Sequence, residues 1–150
     1  MIKKVLIGLL VIFIISQFFP ANLPEVIADN PADLLANNDV PKNIEKILRT
    51  SCYDCHSNET VYPWYSYVSP VKFLVSKDTR NGRKHLNFSK WEDYSKADKL
   101  EALDDIGEEV EEGEMPMKIY PITHPDAKLS DADRETLILW AENFAESLFE

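Results

Sequence analysis

"TSCYDCHSNETVYPWYS", residues Thr50 to Ser66, holds both cysteines of the chain, Cys52 and Cys55, followed directly by His56. Its five-residue core is C-x-x-C-H. Such a pair serves as a dithiol redox centre, as half of a zinc site, as a short disulfide or as two covalent anchors for a cofactor, and the residues around it weigh these uses against one another.

Upstream, Asn38 or Asp39 is a helix N-cap with Pro41 in the first turn, and Ile44, Ile47, Leu48 and Cys52 follow at helical spacing. A helix therefore runs into the motif. A thioredoxin-type pair sits where a strand feeds a helix, and no strand alternation surrounds this one. Zinc needs four ligands, so it would have to recruit two of His56, His85 and His124 at long, irregular spacings. A bare Cys52–Cys55 disulfide closes a very small loop and contributes little stability. His56 adds what these uses do not require. On a helical turn, positions three and four apart share a face, so Cys52, Cys55 and His56 point to one side. Two thiols there can add to the two vinyl groups of a haem while the imidazole reaches the iron, and C-x-x-C-H is the attachment signature of c-type haem. We expect one covalent haem c, with His56 on the iron; zinc and a disulfide stand as the alternatives.

The N-terminus reads MIKK and then an apolar run from Val5 to Phe19 broken only by Ser16 and Gln17. This is an export signal over residues 1–20, either an uncleaved membrane anchor or a signal peptide. Lys3 and Lys4 place its start in the cytoplasm and the rest outside. The expected location is the cell envelope, with the domain anchored at the inner membrane and facing the periplasm, or soluble there if the segment is cleaved. Residues 21–39, with Pro24 and Pro31, have the composition of a linker. Residues 40–150 are then one domain, since a chain of 150 residues is too short for two comfortable ones. The net charge of -10 speaks against nucleic acid, which is bound by clustered Lys and Arg. It favours a basic protein partner.

From Ser57 to Tyr94 the chain is rich in aromatics and interrupted by Pro63, Pro70 and Gly82, and we expect loops with one short helix. Ser95 and Asp98 pair as a capping box at the start of a helix carrying Leu100, Leu103, Ile106 and Val110, and Gly113 ends it. Ser130, with Asp133, caps a last helix that carries Leu137, Ala141, Phe144 and Leu148. The class is all-α, preceded by the hydrophobic N-terminal helix.

The blocks "CYDCHSNETVYPWYS", "RKHLNFSKWEDYS", "GEMP" and "AKLSDADRETLILWAENF" together resemble the haem-binding domain family of small, membrane-tethered bacterial envelope proteins, itself similar to class I c-type cytochromes. The resemblance runs from Val40 to Leu148 and implies a covalent haem c in a cytochrome c-like helical fold. In such proteins a Met-Pro dipeptide before the last helix often supplies the second iron ligand, which implies Met115, with Met117, His85, His124 or an open position as alternatives. Pro70 resembles in placement the proline whose carbonyl orients the proximal imidazole.

Trp64, Tyr65 and Trp91 are expected as pocket walls or as plain core aromatics. Arg80, Arg83 and Lys84 are candidates to neutralise the haem propionates, or else a solvated loop. The acidic run Asp104, Asp105, Glu108, Glu109, Glu111, Glu112 and Glu114 is either a solvated helix face or a docking surface for a basic redox partner. No nucleophile with an adjacent base and no phosphate loop is present, so we expect an electron carrier and not an enzyme. A haem-based sensor or gas-binding module is the alternative, with a peroxidase third.

Overall fold

Every regular element among residues 1–149, the residues that the structure describes, is helical. In this computed structural model the elements are α1 (Ile2–Gln17), α2 (Leu34–Asn37), α3 (Lys42–Ser51), α4 (Tyr53–His56), α5 (Val71–His85), α6 (Lys96–Glu111), α7 (Tyr120–Thr123) and α8 (Asp131–Ser147), with 3-10 turns at Trp64–Tyr67, Phe88–Asp93 and Pro125–Ala127. The all-α class stands. The membrane anchor does not: no helix among the described residues is long and apolar enough to cross a membrane. Helix α1 has 16 residues, and at about 1.5 Å each it reaches about 24 Å, short of a hydrocarbon core of about 30 Å.

Helices α6 and α8 pack against one another as the main helical pair of the domain. Both start as their sequences require. Ser95 Oγ accepts the Asp98 N–H while the Asp98 carboxylate accepts from the Ser95 N–H, and Ser130 and Asp133 repeat the arrangement on α8. Helix α6 stops where Gly113 takes a left-handed conformation at φ 73°, a backbone position that glycine adopts without a Cβ penalty. Arg134 of α8 then donates to the carbonyl of Val110 at 2.9 Å and satisfies the end of α6. The core between these helices and α3 is built from Leu34, Ile44, Leu48, Phe88, Trp91, Leu103 and Leu137, each almost fully buried.

Helix α5 is the larger departure from expectation, because a 15-residue helix stands where loops and one short helix were anticipated. Its buried side chains are Lys72, Ser76 and Thr79, so it has no apolar stripe to announce it. What covers this polar face is the end of α1 and the first part of the expected linker, residues 21–39. Lys72 Nζ donates to the Gln17 carbonyl at 2.9 Å, Ser76 Oγ to the Ala21 carbonyl at 2.6 Å, Arg80 to the Asn22 carbonyl at 2.8 Å and Arg83 to the Glu25 carbonyl at 2.7 Å. Residues at i, i+4, i+8 and i+11 share one helix face, and here that face takes a row of backbone carbonyls. Farther along, Ile27 pairs with the carbonyl of Asn58, and Asp33 is buried, accepting from the Tyr53 phenol at 3.0 Å. Residues 16–33 are a strap and not a tether.

Candidate functional site

The chain changes direction at Cys52. Its backbone, at φ -126° and ψ -44°, separates α3 from the single turn of α4, and its carbonyl accepts the N–H groups of Cys55 at 3.1 Å and His56 at 2.9 Å. The helix thus does not run unbroken through the motif. The i, i+3, i+4 relationship survives the break, and all three side chains line one cavity of about 420 Å³. That volume lies within the usual range for cofactor sites, about 300–1,000 Å³. Both cysteines are free thiols. Burial, with the neighbouring thiol adding to it, pushes Cys52 up to about 12, and burial, with Asp54 next in weight, pushes Cys55 up to about 11. A redox dithiol attacks as thiolate and needs the opposite shift, so this environment is wrong for thioredoxin-type exchange.

His56 is oriented by the backbone. Its Nδ1 lies 3.2 Å from the carbonyl oxygen of Leu86. A carbonyl only accepts, so Nδ1 carries the proton and Nε2 keeps a free lone pair. Burial lowers the affinity of the ring for a second proton, outweighing the backbone hydrogen bonds. The result is a neutral imidazole with one nitrogen ready for a metal, held in the way metal-bound histidines are usually held. Pro70 has no part in this. It is the N-cap of α5, its carbonyl accepts the Phe73 N–H at 3.2 Å, and the orienting carbonyl belongs to Leu86, which follows α5.

Helix α5 brings Leu86 to the motif by lying very close to it. A Cβ built on Gly82 would stand 2.6 Å from the carbonyl oxygen of Cys55, nearer than non-bonded carbon and oxygen come. Only glycine permits this crossing. The apolar walls of the cavity are side chains of α3, α6 and α8, among them Leu48, Ile106, Val110 and Leu137, together with Phe88, whose ring meets His56 edge-on at 6.4 Å, while Asp78, Asn81, Asp105 and Glu109 supply a polar part of the lining.

The loop after α6 completes the enclosure. The N–H of Met115 is bonded to the Glu109 carbonyl at 3.0 Å, and Met115, Pro116 and Met117 all line the cavity. So does His85. His124 does not: it stacks on Tyr120 at 4.1 Å and hydrogen-bonds Thr123, outside the cavity.

Comparison with protein-family models matches residues 11–143 to the haem-binding domain. The chain belongs to the haem-binding domain family. No curated protein and no solved structure matches it. Haem is accordingly the cofactor, and the residues of the cavity fit one: two thiols and a free imidazole nitrogen on one turn, thioethers on the facing loop, and apolar walls between. In this haem-binding domain His56 and Met115 would hold the iron, while Leu48, Ile106, Val110 and Phe88 would cover the macrocycle.

The aromatic and basic residues expected at the haem, Trp64, Tyr65, Trp91, Arg80, Arg83 and Lys84, are not among those that line the cavity. Trp64 is 77% exposed and rests edge-on against Tyr65, away from the cavity lining. Arg83 spends its guanidinium on the Glu25 carbonyl and on Thr60 Oγ1, at 2.7 and 2.9 Å. It faces the strap because α5 has two functional faces, and Asp78, Asn81, Gly82 and His85 form the one toward the cavity. Trp91 is fully buried against Phe144 and belongs to the core. Gly82 and Leu86 escaped sequence reading; a backbone carbonyl has no side-chain signature, though the single glycine among Arg80, Arg83 and Lys84 was a visible hint.

Proposed function

We propose that this domain holds one haem c covalently and carries electrons in the cell envelope. What supports it most is the placement of two protonated thiols and an Nε2-free imidazole on a single turn beside a largely apolar cavity. Each thiol adds across one vinyl group: the S–H bond breaks, a C–S bond forms and the proton passes to the neighbouring vinyl carbon, with no oxidant required. A bound haem supplies a one-electron iron couple. The chain's own work is to fix the imidazole through Leu86, to present the Met115 thioether from a loop pinned to Glu109, and to exclude water with the walls of α3, α6 and α8. Thioether ligation favours the reduced metal and raises the potential, which suits a carrier.

Thioether attachment takes place outside the cytoplasm, and the Lys-Lys and apolar start of the chain agrees with export to the periplasmic side. The redox partner carries a basic surface. Asp105 and Glu109 of α6, with Asp78 of α5, are the acids that line the cavity, and they steer that encounter.

An absorption spectrum of the reduced haem protein with and without carbon monoxide tests the carrier role. A six-coordinate carrier keeps its spectrum. Conversion to a carbon monoxide adduct would instead make the protein a gas-binding module.

A further inference from the structure

The acidic run of α6 does not act as one surface. Asp105 and Glu109 face the haem cavity, whereas Asp104, Glu108 and Glu111 line a separate groove of about 1040 Å³ between α6 and α8. Glu101 of α6 and Glu142 and Glu146 of α8 join them there. None of these six carboxylates takes part in an ion pair or a side-chain hydrogen bond among the described residues, although four other acids of the chain do pair. Between the two acidic rims the partly exposed apolar residues of the floor are Leu100, Ile138 and Ala145, and Leu103 and Ala141 lie buried beneath them. Two cations lie nearby and both are engaged: Lys96 sits over the ring of Phe149 at 4.3 Å, and Arg134, beside Glu111 and Glu142, donates to the Val110 carbonyl.

Gly107 gives the groove its second distinctive feature. It stands in the middle of α6, where glycine costs helix stability relative to alanine. The usual reason for such a residue is close packing, as at Gly82. Here a Cβ would meet nothing within 4 Å. The chain's own packing therefore gives no reason for the missing side chain, and an occupant approaching the floor does.

We propose that the α6–α8 groove is the docking site for an amphipathic, basic helix of a partner protein. Its apolar face, read at i, i+3, i+4 and i+7, lies on the floor with its closest approach at Gly107, and its Lys and Arg side chains meet the two rims. From Glu101 to Glu111 the groove runs about 15 Å at 1.5 Å per residue, room for nearly three turns. Helix α6 stands between this groove and the haem cavity, so the occupant is held without touching the cofactor. The site recruits; it does not conduct. This assignment is independent of how the haem is attached or used.

The test uses the full haem-loaded chain and a synthetic helix of roughly 14 residues, with Leu at i, i+3, i+4 and i+7 and Lys elsewhere, titrated by calorimetry. A peptide of the same composition in scrambled order is the control. The groove predicts that the ordered peptide binds at least tenfold more tightly than the scrambled one. Gly107→Leu, which fills the groove with a better helix former, should weaken it at least tenfold, and Gly107→Ala should weaken it measurably but by less. Glu108→Gln combined with Glu142→Gln gives the same loss through the rims should Gly107→Leu fold poorly. Equal binding of both peptides, indifference to Gly107→Leu and to the rim variant, or a change of the haem spectrum on binding would each overturn the proposal.

Discussion

The phenol of Tyr120 donates a hydrogen bond of 2.7 Å to Oδ2 of Asp54, which lies between the two cysteines and directly before Cys55. Its other carboxylate oxygen accepts the Val61 N–H at 2.8 Å. One side chain thereby joins the motif, the loop after it and helix α7, and α7 follows directly on the methionine loop. A second bridge, from the Tyr65 phenol to Thr123 at 3.0 Å, closes the same end. The lid over the cavity is thus latched to the turn that carries the cysteines.

Tyr120→Phe should open that latch. A hydrogen bond to a charged acceptor contributes about 1.5–3 kcal/mol, and partial exposure places this one at the lower end. Imidazole added to the oxidised protein should displace the thioether at lower concentration in the variant, read from the absorption spectrum. The pH dependence has a definite sign. Burial, with the Asp54 bond next, raises the phenol well above its ordinary value of about 10. The folded state then keeps a proton that the unfolded state releases, so this stabilisation is complete below about pH 10 and is lost as pH rises further. Urea denaturation across pH 8 to 11 should show a steeper alkaline loss in the wild type than in Tyr120→Phe.

Gly82→Ala should be more damaging than a helical Gly-to-Ala exchange ordinarily is. Alanine improves helix propensity, but its Cβ has to push α5 off the Cys55 carbonyl, 2.6 Å away. Overpacking of this kind costs about 1–3 kcal/mol. Haem content per chain and the thermal midpoint should both fall, whereas Gly107→Ala in open space should raise the midpoint.

Arg83→Met separates structure from cofactor binding. The variant loses one charge-assisted hydrogen bond to the strap, at Glu25, and one to Thr60 in the loop after the motif, and a loss of about 1–3 kcal/mol is expected. Haem spectrum and potential should stay as in the wild type. A shifted potential would return Arg83 to the propionates.

Much of the scaffold was legible because its signals are local. The boxes Ser95–Asp98 and Ser130–Asp133 and the stop at Gly113 each lie within a few residues of what they cap, and all three are formed. Helix α5 was not legible because its buried face is polar: Lys72, Ser76, Arg80 and Arg83 find their partners more than fifty residues upstream, among carbonyls that leave no trace in composition. The same distance hid the strap, which reads as a linker until α5 is placed beside it. The N-terminal helix misled by its composition, which is apolar enough for an anchor over a length that is not.

Replacement of the candidate iron ligands one at a time should single out Met115. The oxidised wild type should show the weak far-red sulfur-to-iron band; Met115→Ala should abolish it and lower the potential. Met117 also lines the cavity, so Met117→Ala is the competing outcome. His124→Ala should leave band and potential alone, because that ring is stacked on Tyr120 outside the cavity.

The central claim is that Cys52 and Cys55 are thioether anchors, and the most direct measurement is the fate of the haem when the purified protein is denatured and extracted with acidified organic solvent. The haem should stay with the polypeptide, visible as a mass increment on the intact chain and as haem stain on a denaturing gel, and Cys52→Ser with Cys55→Ser should release it. Haem recovered in the organic phase from the wild type, with both thiols still free to alkylation, would contradict the account.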